Sequence, residues 1–428
     1  MASERPRIFL GTSDTASCLS ALAHGFRENG CAVTTMVTHR EPYAPETRHD
    51  IVRGRELLMR YEYEAAPRPV RGIARRLDTA LSIALNTAAA PAYLHEHDVF
   101  VFIVEPWAPA PTLFPLMRRL GKKIIVYYLG SDARHVSAIS QEYGIDTSTW
   151  GPGFNRDPID PKVQRIRWGE LYADLVYSVP DQSGLQIRPY YHAHVPVQAD
   201  LVTNIRGRVV PKVVHAPSRL DLKGTSFVVQ AVEQLRSEGL KFDFQLLSGI
   251  KRRQVLEAVA DSDIVVDELI LHGPGVLSAE AMFAGCAVAT RIIDPPHPFF
   301  SPPVSPVTPA TITASLRRLI EDVPYRTDLA ARGAVWARAA FDPKQIAARV
   351  LRHLEGEELP QYVPRFYLDE YRPPHPLSRL SLALSLRVAE RFRPEATPML
   401  YDAARRGVTA RPPYRRRLGT TGPHRSRP

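Results

Sequence analysis

Short apolar runs alternate with stretches of helical periodicity over most of this chain, and glycines and prolines fall at the joints. Arg7 to Leu10 predicts a first strand running into the turn Gly11-Thr-Ser-Asp14. Leu19, Leu22, Ala23 and Phe26 follow at helical spacing, with Gly30 where a C-terminal cap belongs. A strand then fits Ala32 to Thr38. Residues 50 to 95 read as one or two helices with basic outer faces. The alternation returns as strand Asp98 to Val104, helix Pro111 to Leu120, strand Lys123 to Leu129 and strand Asp174 to Val179.

A second alternating set begins near residue 209. It predicts strand Val210 to His215, helix Ser226 to Ser237 with Val228, Val232 and Leu235 on one stripe, and strand Phe242 to Leu247. Helix Lys251 to Ala260, strand Ile264 to Leu269, helix Gly275 to Ala284 and strand Ala287 to Arg291 complete it. Such alternation builds parallel sheets with crossover helices, so the fold class is α/β, two doubly wound domains in tandem joined near Asn204 to Arg208. Ligands of these sheets bind beyond the carboxyl ends of the strands, which places a ligand in the cleft between the domains. The expected boundaries are 1–203, 209–355, C-terminal helices over 356–394 and a tail over 395–428. Prolines across 294–309 exclude regular helix and central strand. Helices are predicted again over Ala310 to Asp322, near Thr327 to Ala340, over Pro343 to Leu354 and from Ser378 to Arg391.

Composition changes this picture little. The 428 residues are 44% hydrophobic and 23% charged, ordinary for a globular protein with two cores. No stretch approaches the ~18 uninterrupted apolar residues of a membrane span, and the opening MASERPRIFLGT lacks the form of a secretory leader. Cys18, Cys31 and Cys286 lie far apart, form no metal-ligand pattern and are expected as small buried groups in the reducing cytoplasm. The net charge of +10 matters more for where it sits. Eight arginines and no acid lie from Arg405 onward. This tail is expected to be a solvated, disordered appendage, with peripheral contact to anionic lipid on the inner face of a membrane as the second reading. A near-neutral body argues against nucleic acid as a partner.

Two stretches carry candidate chemistry. In His215-Ala-Pro-Ser-Arg-Leu-Asp-Leu-Lys-Gly-Thr225 a strand ends, a loop carries Arg219 and Lys223, and a glycine precedes a helix. Helix N-termini offer free N–H groups and positive potential, so the two cations there suit a phosphate; they equally suit a solvated loop. In Asp267-Glu-Leu-Ile-Leu-His-Gly-Pro-Gly275 a glycine turn leads into a helix carrying Glu280 among apolar residues. A buried charge needs a partner, which a pair of ribose hydroxyls or a structural salt bridge would supply. Tyr190-Tyr-His-Ala-His194 is a weak metal pattern and is expected in the path between domains. Trp107 and Trp168 suit core packing or an acceptor groove.

Together these stretches resemble the donor-binding domain of GT-B glycosyltransferases of family 4, the large retaining group. The resemblance rests on Arg219, Lys223, Gly224, Gly273, Gly275, Glu280, Ala281, Met282, Gly285 and Val288, with Ala340-Phe-Asp-Pro343 near the family's closing helices. In the amino half it rests on Gly11 to Asp14 and Gly130-Ser-Asp-Ala-Arg134. It covers about residues 5 to 355 and is densest over 210 to 290. It implies two Rossmann-like domains facing across a cleft, and sugar transfer with retention from a nucleoside diphosphate sugar. The donor is a substrate; no cofactor and no metal are implied. Arg219 and Lys223 would hold the diphosphate and Glu280 the ribose. His272, Gly273, Gly275 and Val276 would meet the donor, while Gly11, Thr12 and Ser13 line the cleft from the other domain. Asp132, Arg134 and His135 are the candidates for the acceptor side, the acceptor being a glycan, a lipid-linked group or a small molecule. The chain departs from the family's pattern at His272, where many members have a glutamate, and at Leu129, where many have a histidine. The Arg219–Lys223 spacing is also one residue shorter. Rival readings are a sugar-nucleotide epimerase or hydrolase on the same fold, and a non-catalytic nucleotide-sugar binder.

Overall fold

The computed structural model describes residues 5–38, 47–53, 68–135, 159–179, 185–186, 188–197, 201–292 and 300–362. The helix expected over 378–391 and the basic tail lie outside these residues.

Two parallel sheets organise the chain. The first holds β1 (Ile8–Thr12), β2 (Val33–Val37), β3 (Ile51–Val52), β4 (Val99–Ile103), β5 (Lys123–Tyr128), β6 (Leu175–Ser178) and β7 (Tyr191–His192), in the order β3-β2-β1-β4-β5-β6-β7. The second holds β8 (Lys212–His215), β9 (Asp243–Leu246), β10 (Ile264–Val266), β11 (Ala287–Thr290) and β12 (Ser305–Pro306), in the order β12-β11-β10-β8-β9. β12 lies in the proline-rich stretch, at a sheet edge, where a missing N–H does least harm. Helices of the first half are α1 (Cys18–Glu28), α2 (Arg68–Glu96), α3 (Ala110–Arg119) and α4 (Ile159–Tyr172). The second half has α5 (Leu220–Lys223), α6 (Thr225–Ser237), α7 (Arg252–Ala260), α8 (Val276–Ala284), α9 (Ile312–Glu321), α10 (Val323–Phe341) and α11 (Pro343–Leu354). Among the described residues no helix is long and apolar enough to cross a membrane.

The strand sequences explain the layers. β1 and β4 are buried along their whole length, as continuous apolar runs in a parallel sheet must be. Successive residues serve opposite faces: Phe9 packs with Phe100, Trp107 and Phe114, while Ile8 and Leu10 pack with Leu22 and Phe26. Trp107 and Trp168 are therefore core residues, and all three cysteines are buried. In the second sheet Val213 and Val214 divide in the same way between two further clusters.

The last described helix returns to the first half. Ile346, Ala347, Val350 and Leu351 of α11 join the cluster of α1. Gly25 makes this crossing possible, because a Cβ there would sit 2.0 Å from the Pro343 carbonyl oxygen. A helix interior ordinarily favours alanine over glycine by roughly 1 kcal/mol. Here the sign reverses: Gly25→Ala is expected to destabilise the protein by about 3 kcal/mol, the upper end for overpacking. Urea unfolding checks this, and a variant as stable as wild type would show that α11 does not press on α1.

Candidate active site

In a doubly wound sheet a crevice opens where successive strands depart in opposite directions. In the second sheet that point lies between β8 and β10. After β8 the chain turns through Arg219 into α5, which ends at Lys223; after β10 come Asp267 and Glu268. The register pairs His215 with Val266, so the two loops leave side by side. Lys223 Nζ donates to Asp267 Oδ1 at 2.7 Å and to Glu268 Oε2 at 3.0 Å. Ser278 closes the group by donating its hydroxyl to Asp267 Oδ2 at 2.6 Å. Arg219 stays nearer the surface, paired with Asp221 at 2.7 Å.

Burial opposes every charge in this group. For Lys223 the two neighbouring carboxylates outweigh it and raise the pKa; for Asp267 the ammonium outweighs it and holds the carboxyl below its usual range. For Glu268 burial prevails over Lys223, and its pKa is raised. His215 is buried with Nδ1 against the Val266 carbonyl and Nε2 against the Thr225 hydroxyl, each at 2.9 Å. Burial lowers its pKa, which leaves a neutral ring.

The turn His272-Gly-Pro-Gly275 leads into α8, whose first residue is Val276. A Cβ on Gly275 would stand 3.3 Å from Asp267 Oδ2 and 3.9 Å from Lys223 Nζ. A glycine there keeps the ion group approachable. α8 is buried and apolar apart from Ser278 and Glu280. Arg252 supplies the partner that Glu280 requires, its Nε at 3.1 Å and its Nη2 at 2.5 Å, both donating to Oε1. Oε2 has no hydrogen-bond partner among the described residues. Burial raises the Glu280 pKa against the pull of Arg252.

The first sheet presents its own turns to the same region. Its switch point lies between β1 and β4, and Thr12 spans it by donating to the Glu105 carbonyl at 2.6 Å. Gly11 ends β1 with Thr12, and Ser13 follows, its hydroxyl 3.0 Å from that of Thr15. Asp132 is buried and accepts from the N–H groups of Leu129 and Gly130 at 3.0 and 2.7 Å, bracing its own turn. Arg134 and His135 leave that turn, and Lys162 fastens it by donating to the Ser131 and Arg134 carbonyls. Near these turns Arg252 Nη1 reaches Ser17 Oγ at 3.3 Å, and the charge of Arg134 is felt at Glu268.

No known family's sequence profile matches the chain, and no curated protein resembles it significantly in sequence. Solved structures resemble it in fold. Sucrose-phosphate synthase from Thermosynechococcus elongatus is 12% identical, with 82% of this chain and 98% of that one covered and a TM-score of 0.50. HepE of Anabaena, solved with UDP and glucose, is 13% identical, with 83% and 100% covered and a TM-score of 0.49. An α-glucosyltransferase solved with UDP-glucose and DNA containing an abasic site is 9% identical, with coverage of 83% and 100% and a TM-score of 0.49. With two parallel α/β units facing through their carboxyl ends, the chain has the GT-B fold.

Lys223, Gly275, Val276 and Glu280 follow the carboxyl ends of strands in the second sheet, and Gly11 to Ser13 with the Gly130 turn lie at the carboxyl ends of strands in the first. Asp267, Glu268 and Arg252 are functional candidates that sequence reasoning passed over. Their signal was present: two acids directly after a three-residue apolar strand have no place in solvent, and they lie one strand from the lysine. Among the described residues no group of three or more His, Cys, Asp or Glu is disposed to hold a metal ion.

Proposed function

We propose that this protein transfers a sugar from a nucleoside diphosphate donor to an acceptor, with retention of configuration, as a relative of the family 4 glycosyltransferases. The observation that carries the reading is the pairing at one switch point of Lys223 with an uncommitted third N–H and Glu280 with an uncommitted Oε2. Lys223 and the N-terminus of α8 suit a diphosphate, and Oε2 suits the ribose hydroxyls. Arg219, half-buried and paired with Asp221, would add charge as the leaving phosphate develops its own. Residues up to about 203 would hold the acceptor and residues 209–355 the donor. Retention and kinship to family 4 rest on the sequence motifs.

Asp267 and Glu268 give this site a feature of its own. A diphosphate next to them would meet two carboxylates, so binding is favoured when Glu268 carries a proton, which its raised pKa makes accessible.

A panel of nucleoside diphosphates and their sugars, read by thermal shift and then by product analysis with and without acceptors, tests the proposal. One nucleotide is expected to stabilise the protein, and its sugar to appear on an acceptor with its anomeric configuration kept. Stabilisation by none would sink the reading. Donor binding with no transfer to any acceptor would favour the non-catalytic binder, a reading that Leu129 and His272 support. Donor conversion without acceptor would favour an epimerase or hydrolase.

A further inference from the structure

The strand β4 ends in a strained turn. Val104 has a φ of 73°, in the left-handed region that a β-branched residue rarely enters. The Glu105 N–H donates back to the Ile103 carbonyl at 3.0 Å, which makes the three residues a γ-turn of the strained form. Its neighbours hold it in place: the Val104 N–H donates to the Tyr127 carbonyl at 3.3 Å, and Thr12 donates to the Glu105 carbonyl at 2.6 Å. The chain therefore bends sharply at the switch point between β1 and β4, where a doubly wound sheet binds its ligand. The Glu105 side chain is 55% exposed, and among the described residues its carboxylate accepts no hydrogen bond. Arg165 of α4 stands 3.6 Å from it and donates instead to the Asp132 carbonyl at 3.0 Å. An exposed ion pair at that distance contributes little and gives no reason for the strain. Residues held in sparsely populated conformations cluster at ligand sites.

We propose that Glu105 holds two neighbouring hydroxyls of a neutral, sugar-like acceptor at this switch point. The chemistry of the side chain selects that class. An ionised carboxylate only accepts hydrogen bonds, and its two oxygens take two hydroxyl donors at once. It repels phosphate, so an anionic group fits poorly. Arg165 offsets part of the charge without occupying either oxygen at hydrogen-bonding distance. The strain has a use on this reading: the backbone at Glu105 is fixed before the ligand arrives, which lowers the ordering cost of binding. Of the acceptors left open by the sequence, those presenting free sugar hydroxyls are favoured, beside Thr12 and the Asp132 turn. Calling the ligand an acceptor rests on the sugar-transfer reading, whereas the capture of hydroxyls by Glu105 does not.

The test is saturation-transfer NMR of the full chain with methyl α-glucoside, maltose and myo-inositol, in the presence and absence of UDP. Wild type is expected to bind at least one of the three, and to bind glucose 6-phosphate more weakly. Glu105→Ala should weaken the neutral ligand about 10- to 100-fold, the value of a hydrogen bond to a charged group. Glu105→Asp keeps the charge near Arg165 but draws it back by one methylene, and should weaken binding by a smaller factor. Both variants should unfold in urea at the wild-type midpoint, because the side chain is exposed. No binding of any neutral probe by wild type, or undiminished binding by Glu105→Ala, overturns the proposal. So does glucose 6-phosphate binding as tightly as the neutral probes, or a fall in the urea midpoint that accompanies the loss of binding. Thermal shift with nucleoside diphosphates separates this proposal from the reading it rests on. A Glu105→Ala protein that keeps the nucleotide shift and loses the neutral ligand supports both. If wild type binds the neutral ligand through Glu105 but no nucleotide, the hydroxyl site stands and sugar transfer falls.

Discussion

Lys223→Ala is expected to destabilise the protein by about 3–5 kcal/mol at neutral pH, the cost of removing one partner from a buried ion group, and to abolish donor binding. The Lys223 side chain is 16% exposed and that of Asp267 wholly buried, so little solvent screening softens the loss. The pH dependence separates the electrostatic cause from lost packing. Asp267 has a lowered pKa, so its contribution is present above the unfolded value and disappears as pH falls through the folded one. Glu268, with a raised pKa, has the opposite sign: it favours folding below its unfolded value and ceases to as pH rises through the folded one. Lys223, raised, contributes throughout the neutral range and loses its effect only at strongly alkaline pH. Without the ammonium both acids shift upward, so the defect should deepen between about pH 5.5 and about pH 8. Urea unfolding at the two pH values reads this directly. A defect equal at both would mean that the lysine contributes its methylenes and not its charge. Lys223→Met/Asp267→Asn/Glu268→Gln should recover most of the stability, because replacing a whole buried ion group is often neutral. It should not recover donor binding.

This ion group also shows where reading along the chain ends. The apolar runs of β1, β4, β5 and β8 are legible because a strand buried on both faces has no other solution. Lys223, the Gly273–Gly275 turn and Glu280 were legible as a motif. Asp267 and Glu268 were not, since their significance depends on β8 lying beside β10, which sequence order does not state. α4 escaped for a related reason. Arg167 and Glu170 are buried on it as an ion pair, so its inward face reads as polar and its periodicity is obscured. α2 was recognised as helical, but its exposed Ile73, Leu77, Leu81 and Leu85 were not foreseen, because periodicity locates an apolar stripe without saying that the stripe faces inward. The two-residue strands β3, β7 and β12 are too short to leave a pattern.

Glu280→Ala should separate a donor site from a structural ion pair. Two roles are open to this carboxylate, and they use different oxygens: Oε1 is committed to Arg252, while Oε2 faces no partner among the described residues. A ligand at about 100 times its dissociation constant stabilises a protein by about 2.7 kcal/mol. Hydrogen bonds to a charged group contribute about 1.5–3 kcal/mol, so losing the ribose contact should weaken donor affinity about 10- to 100-fold. At the same nucleotide concentration a 100-fold loss leaves only about 0.4 kcal/mol of stabilisation. The comparison is made within each variant, with and without nucleotide, so whatever Glu280 contributes to the unliganded fold cancels. Arg252→Ala is the complementary change. It leaves Glu280 in place, and its donor-induced shift should persist even as the link to Ser17 is lost. If Glu280→Ala keeps the full nucleotide-induced shift, Glu280 serves Arg252 alone and the ribose lies elsewhere in the cleft. If Arg252→Ala loses the shift while Glu280→Ala does not, the guanidinium is the donor ligand and the carboxylate its support.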